Sequence, residues 1–244
     1  MLGESQSQSH ERMAMMQWTA RLGAVTAEAV ATHLDTTIAS ARARLGAAER
    51  DRLLVRRRPL MGQPALYAIT RAGLRASGLT GLDPCRVSAS NALHLSACAQ
   101  AAAALERCYP DHRVLGEREL RRDGRESGVR RAGARLGMRP DGTPQLHAPD
   151  LVLWADGYGD GSLVAVEVEL TTKAPQRLVE ICRAWARCRG VTGVLYLAPA
   201  EVARALERAI GRARAGDRIV VVPLEALPRP GEISTELGAE NRLK

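Results

Sequence analysis

Pro149-Asp150-Leu151-Val152-Leu153-Trp154-Ala155 and Leu163-Val164-Ala165-Val166-Glu167-Val168-Glu169-Leu170 are two apolar, β-branched runs joined by the turn-forming stretch Asp156 to Ser162. Such runs on either side of a glycine-rich connection read as two strands of a hairpin. A two-residue turn at Tyr158-Gly159 sets Asp150 opposite Glu167. Side chains alternate along a strand, so Glu167 and Glu169 share one face, with Val164, Val166, Val168 and Leu170 on the other. Directly opposed residues have Cβ atoms about 4.5–5.5 Å apart, and like charges there repel. Three carboxylates converging on an apolar strand pair call for a cation, and a hard divalent ion such as Mg²⁺ has the matching preference for oxygen ligands. Two plainer readings stand beside this one: the glutamates line a solvated sheet face, or they pair with arginines. The expected covering of a central strand on both sides weighs against the first.

Outward from this hairpin the pattern alternates. Asn91 to Cys108 is Ala-rich and helical, His112 to Leu120 strand-like, and residues 123–149 a long loop or arm. Pro175 to Arg189 is an amphipathic helix with Pro at its start, Val191 to Leu197 a strand, Ala200 to Arg214 a helix and Arg218 to Val222 a last strand. The order predicts a mixed sheet flanked by helices over residues 90–225, followed by a tail, 226–244.

The turn-rich segment Ser77 to Pro84 separates this part from an N-terminal domain over residues 12–80. Met13 to Leu22 and Thr26 to Leu34 read as helices. Asp35-Thr36-Thr37 offers caps for a third, with Ile38, Ala41, Leu45 and Ala48 on one face. Leu53 to Arg58 is a strand that turns basic, Pro59 to Pro64 a turn, Ala65 to Ile69 the returning strand, and Thr70 starts a closing helix. The fold class is therefore α+β in two domains.

Composition narrows the partner. The 244 residues include 35 Lys plus Arg against 27 Asp plus Glu, and only Lys173 and Lys244 are lysines. Residues 1–80 hold 11 Arg and six acids, whereas residues 91–244 hold 23 basic and 20 acidic residues. A basic excess concentrated in the first third favours a polyanion, with nucleic acid the leading class. No apolar run approaches the roughly 20 residues that span a bilayer, and the N-terminus lacks the pattern of a secretion signal. Five cysteines without a CxxC pair read as reduced thiols, so a cytoplasmic location is expected. His94, His112 and His147 read as isolated, Trp154, Trp185 and Tyr196 as core, and no Gly-rich phosphate loop is present.

Two resemblances follow from these residues. The helix Asp35 to Glu49, "LLVRRR" and "LYAITRAGLRA" resemble a winged helix-turn-helix over about residues 12–77, with Arg50-Asp51-Arg52 where a glycine usually turns the corner into the wing. That resemblance implies double-stranded DNA as partner, with Thr36, Thr37, Ser40, Arg42 and Arg44 facing the major groove and Arg56, Arg57 and Arg58 along phosphate. A winged domain used for protein contact or dimerisation is the alternative. Pro149-Asp150, then Glu167-Val168-Glu169, resembles the PD-(D/E)xK nuclease core, departing from it with Glu169 where Lys is usual. Some restriction endonucleases carry Glu-x-Glu there and remain active. Lys173 either supplies a migrated charge or merely precedes the next helix.

Together, the winged helix, "PDLVLW", "VAVEVELTTKAPQRLVEI" and "VLYLAP" resemble the replication-relaxation family of plasmid and integrative-element proteins over about residues 12–222. The resemblance implies DNA binding tied to plasmid mobilisation or replication, with relaxosome or replication proteins as possible partners. If the PD-(D/E)xK-like site is active, that resemblance implies Mg²⁺- or Mn²⁺-dependent DNA cleavage or nicking, with a homodimer expected for double-strand cleavage. Asp150 and Glu167 would hold the metal, Glu117 (or Glu119, on the same side of the expected strand) would complete the site, Glu169 or Lys173 would prepare the water, and Arg177 would contact phosphate. The rival expectation is a non-catalytic DNA-binding regulator or relaxosome accessory on an inactive nuclease fold.

Overall fold

The computed structural model describes residues 2–127, 132–155 and 162–228, with side chains from residue 9 onward except that of residue 127. These residues form two compact units, one running to Cys108 and the other spanning Tyr109–Leu227. The fold is α+β, with a mixed sheet flanked by helices. No helix among the described residues is long and apolar enough to cross a membrane.

The first unit runs α1 (Leu2–Leu22), β1 (Ala24–Val25), α2 (Ala27–His33), α3 (Ile38–Arg50), β2 (Leu54–Arg57), β3 (Leu66–Ile69), α4 (Arg71–Ala76) and α5 (Ala92–Cys108). Threonine hydroxyls start three of these helices. Thr26, Thr37 and Thr70 each accept a bond from the backbone N–H three residues on, at 3.1, 3.1 and 3.0 Å, which satisfies a donor the helix itself cannot. On α3 the expected stripe Ala41, Leu45 and Ala48 is buried. The three strands are antiparallel in the order β1-β3-β2, with Ala24 opposite Ala68 and Leu54 opposite Ile69. The two-residue β1 is too short to carry an alternation and was not expected. At the corner after α3, Arg52 adopts φ 60°, the left-handed backbone that a glycine takes without strain.

The structure moves one boundary. The helix α5, expected to open the second domain at about residue 90, belongs to the first unit. Its buried Ala99, Ala101 to Ala104 and Leu105 pack on α2 and β1, where small side chains let the backbones approach closely. Trp18 and His33 both reach Glu106 on α5, at 3.0 and 2.6 Å, which secures the helix to α1 and α2.

The second unit contains β4 (His112–Gly116), α6 (Glu117–Ser127), β5 (Ala134–Met138), β6 (Pro144–His147), β7 (Leu151–Ala155), β8 (Leu163–Val168), α7 (Pro175–Ala186), β9 (Gly193–Ala198), α8 (Ala200–Ala213) and β10 (Ile219–Pro223). The main sheet has the order β10-β9-β8-β7-β4. Its pairs are antiparallel from β4 to β8 and parallel from β8 to β10. Strands β7 and β8 pair Leu151 with Val166 through Trp154 with Leu163, the register that carries Asp150 opposite Glu167. The turn at Tyr158-Gly159 lies outside the described residues. Trp185, Tyr196, Leu197 and Leu206 anchor the core and are at most 2 % exposed.

Two expectations are corrected. The strand expected over His112 to Leu120 ends at Gly116, and Glu117 begins a helix. Gly116 is paired with Leu151, the first residue of β7, so a longer β4 would have no partner there. Glu117 and Glu119 then fall in the first turn of α6, where carboxylates complement the helix dipole. The expected loop 123–149 instead contains the end of α6 and a hairpin, β5-β6, which turns at Gly142 (φ 79°).

Gly73 on α4 lies against the end of β2. A Cβ placed there would sit 2.2 Å from the Leu53 carbonyl oxygen and 2.6 Å from a methyl of Ile69. Gly73→Ala is therefore expected to destabilise the fold by about 2–3 kcal/mol through overpacking against backbone. Chemical denaturation of wild type and variant measures it, and a loss below about 0.5 kcal/mol would mean α4 can slide freely away from β2.

Candidate functional site

Strand β8 lies between β7 and β9, and this position dictates the chemistry of its two glutamates. Glu167 is 6 % exposed and Glu169 is 8 % exposed, so neither lines a solvated face. Glu167 is opposite Tyr196 in the parallel β8-β9 pair. Its Oε1 accepts hydrogen bonds from the Trp185 indole N–H (3.1 Å) and lies 2.8 Å from His147 Nε2. The His147 and Trp185 rings meet edge to face, with centroids 5.9 Å apart. An imidazole from β6 and an indole from α7 thus converge on one carboxylate oxygen, leaving Oε2 as the oxygen turned from both donors.

Asp150 sits at the end of the β7-β8 ladder. Its Oδ2 accepts from the Val168 N–H at 2.8 Å, and its backbone carbonyl accepts from the Glu117 N–H at 2.9 Å. The aspartate therefore joins β7, β8 and the start of α6. One residue past β8, Glu169 keeps the parallel ladder going by donating its N–H to Leu197 O at 3.0 Å. Its side chain forms an ion pair with Lys173. Arg177, in the first turn of α7, pairs with Glu180 at 3.3 Å.

Electrostatics ties these groups together. Burial raises the Glu167 carboxyl above its ordinary range and outweighs the hydrogen bond and charge of His147, with Asp150 adding to the rise and Lys173 opposing it. Burial also lowers the Lys173 ammonium, against the pull of Glu167 and Asp150 and with help from Arg177. The Tyr196 hydroxyl is pushed well up, mainly by burial and then by Glu167. Burial pushes the Cys182 thiol up to about 11, which leaves it an inert core group.

Of the residues expected at this site, Asp150, Glu167, Glu169, Lys173 and Arg177 are thus linked by bonds or by charge. The Glu117 side chain pairs with Arg121 at 2.5 Å, and the buried Glu119 accepts from the Gly116 N–H at 3.4 Å. Within the second unit, no three acid, imidazole or thiol ligand atoms among the described residues lie within 4.8 Å of one another. Asp150 and Glu167 are the two carboxylates that face each other at the end of the β7-β8 ladder. His147 is not isolated, and Trp185 does more than fill the core.

The residues expected to touch DNA lie in the first unit. Thr37 is the N-cap of α3, and Thr36 and Ser40 are half-buried. Arg42 and Arg44 pair with Glu28 and Glu11, at 3.2 and 2.8 Å. Arg56, Arg57 and Arg58 are all exposed, with Arg56 over the Tyr67 ring at 5.9 Å.

The raised Glu167 carboxyl has a definite sign for stability. Its folded pKa exceeds its unfolded value, so the fold holds this proton more tightly than the unfolded chain does. The resulting stabilisation is complete below the ordinary value of 4.5 and declines as pH rises through the folded pKa. Glu167→Gln, which keeps an acceptor for Trp185, is expected to raise the melting temperature relative to wild type, more at about pH 8 than at about pH 4.5. Thermal unfolding at both pH values tests this, and a gain that shrinks with rising pH would reverse the assigned shift.

No protein-family model, no curated protein and no solved structure matches this chain.

Proposed function

We propose that the chain is a DNA-binding protein whose first unit is a winged helix-turn-helix and whose second unit is a PD-(D/E)xK-type domain. Its resemblance to replication-relaxation proteins makes a mobile genetic element the setting, in mobilisation or replication. The observation that carries DNA binding is the run of three exposed arginines, Arg56 and Arg57 at the end of β2 and Arg58 at the start of its connection to β3. The order α1-β1-α2-α3-β2-β3 with sheet order β1-β3-β2 supports a wing at that connection. Exposed guanidiniums there suit phosphate, with α3 beside them as the groove-facing helix. The surface ion pairs of Arg42 and Arg44 are weak enough to exchange for phosphate contacts.

For the second unit, support comes from the strand sequence β4-β7-β8-β9, whose last pair is parallel, and from Asp150 opposite Glu167. The reaction proposed is metal-assisted phosphodiester hydrolysis. Asp150 and the free oxygen of Glu167 would hold Mg²⁺ or Mn²⁺, which supplies Lewis-acid polarisation and a more acidic bound water. Trp185 and His147 fix the orientation of Glu167. Lys173, held by Glu169 and made less basic by burial, orients the attacking water or takes its proton. Arg177 exchanges Glu180 for the substrate phosphate.

One observation favours the second reading, a non-catalytic DNA-binding regulator or relaxosome accessory. The Trp185 and His147 bonds to Glu167, together with its raised pKa, are what a structural carboxylate would also show.

Arg56→Ala/Arg57→Ala/Arg58→Ala is expected to weaken duplex binding and to lower the slope of log affinity against log salt by about 3. An unchanged slope in a gel-shift or anisotropy titration removes the wing from the interface. Wild type is expected to nick or linearise supercoiled plasmid with Mg²⁺ or Mn²⁺, and Asp150→Asn and Glu167→Gln to lose that activity while still binding DNA. A wild type that binds DNA and leaves plasmid intact selects the non-catalytic reading.

A further inference from the structure

In the second unit, a cleft of about 530 Å³ opens between β5 and the C-terminal end of α7. Its charged lining is Arg135, Arg187 and Arg189, its lining includes Gly133, Gly137 and Gly190, and among the described residues no acidic side chain borders it. The expected alternation of a strand cannot place Arg135, Leu136 and Gly137 side by side on one wall. A β-bulge does so: the register passes from Arg135 opposite Leu146 to Gly137 opposite Gln145, leaving Leu136 as the extra residue.

The facing wall is held in place by spent donors. The Arg218 guanidinium donates to the carbonyls of Cys188 (2.8 Å) and Val191 (2.5 Å), which secures the turn after α7. The Cys188 thiol reaches the Gly133 carbonyl at 3.5 Å and ties that turn to β5. The walls are therefore organised before any ligand arrives.

Three like charges border one cleft. Arg12, Arg42, Arg44, Arg107, Arg121, Arg122 and Arg177 each sit on a carboxylate. Among the described residues, no ion pair engages Arg135, Arg187 or Arg189, and the Arg135 guanidinium donates only to the Met138 thioether. The negative end of the α7 dipole accounts for cations at 187 and 189, but not for Arg135, which comes from another element. Planar guanidiniums from residues that border a concave site match the oxygens of a phosphate. The volume lies in the range of small-ligand sites, and open backbone at Gly137, where a Cβ would meet nothing within 4 Å, lets a ligand approach closely.

We propose that this cleft binds a phosphate ester, either a nucleic-acid backbone or a free nucleotide. Binding here does not depend on metal or cleavage at Asp150 and Glu167. Where the ester is a nucleic acid, the proposal extends the DNA-binding reading to the second unit.

Arginine-selective modification of the full-length chain with phenylglyoxal, read by mass spectrometry, locates the ligand. The probes are a DNA duplex, a single strand of about 12 nucleotides and a nucleoside diphosphate, each at about 0.15 M salt. The expected result is modification of Arg135, Arg187 and Arg189 slowed about tenfold at saturation by at least one probe. Gly137→Leu, which adds an apolar side chain at the cleft lining, is expected to abolish that protection.

Protection by DNA alone identifies a nucleic-acid backbone, and protection by the diphosphate identifies a nucleotide. No protection by any probe, or protection that survives Gly137→Leu, overturns the proposal. Protection of Arg56 to Arg58 by duplex without protection of the cleft leaves DNA binding standing and removes this site. Protection of the cleft by the diphosphate, with Arg56 to Arg58 untouched by DNA, does the reverse.

Discussion

A carboxylate placed on an interior strand must be compensated or protonated, and the second unit is arranged around Glu167. Strand β8 is hydrogen-bonded on both edges and covered on both faces, so its glutamates lose water on folding. An uncompensated buried charge costs several kcal/mol. Glu167 avoids part of that cost through two donors from separate elements, the indole of Trp185 on α7 and the imidazole of His147 on β6. Glu169 meets the same constraint with Lys173. Removing β6 or shifting α7 by one turn would take away one of the two donors to Glu167, so the small hairpin and α7 meet at one oxygen atom.

The first unit solves a different problem. Much of its interior is alanine, which gives little apolar area per residue. Capping threonines and the Trp18–His33–Glu106 cluster supply directional bonds where the core supplies little area. Positive charge is then left on the β2-β3 connection, away from these bonds. In the second unit, the positive charge of α7 is divided between its ends: Arg177 beside the carboxylates at the start, and Arg187 with Arg189 at the cleft after the end. The helix is twelve residues long, or about 18 Å, a span of several nucleotides.

Much of this was legible from the residues. The β7-β8 register followed from alternation and a short connection, because a one-residue slip would have placed every valine on the wrong face. The Thr26, Thr37 and Thr70 starts followed from side-chain chemistry. By contrast, Glu117-Arg118-Glu119-Leu120 satisfies a strand period as readily as a helical one, and only the start of β7 at Leu151 decides between them. The hairpin within 123–149 carried a readable turn signal, Pro140-Asp141-Gly142, which the surrounding arginines and glycines outweighed. The partnership of His147 with Glu167 depends on where β6 lies, and no local pattern encodes that. The α5 boundary was missed for a related reason: an alanine-rich helix shows no stripe distinctive enough to name the surface it packs on.

The order β1-β3-β2 makes β2 an outer strand, with one row of backbone N–H and C=O groups unpaired within its sheet. An outer strand of alternating apolar residues is a template for a strand from another molecule, and natural sheets deter such addition with charge and proline. Arg56, Arg57, Arg58 and Pro59 occupy this position. The residues suited to phosphate are thus also the ones that keep the small sheet from growing. Neutralising them trades away resistance to aggregation, so this stretch is constrained by solubility whatever it binds.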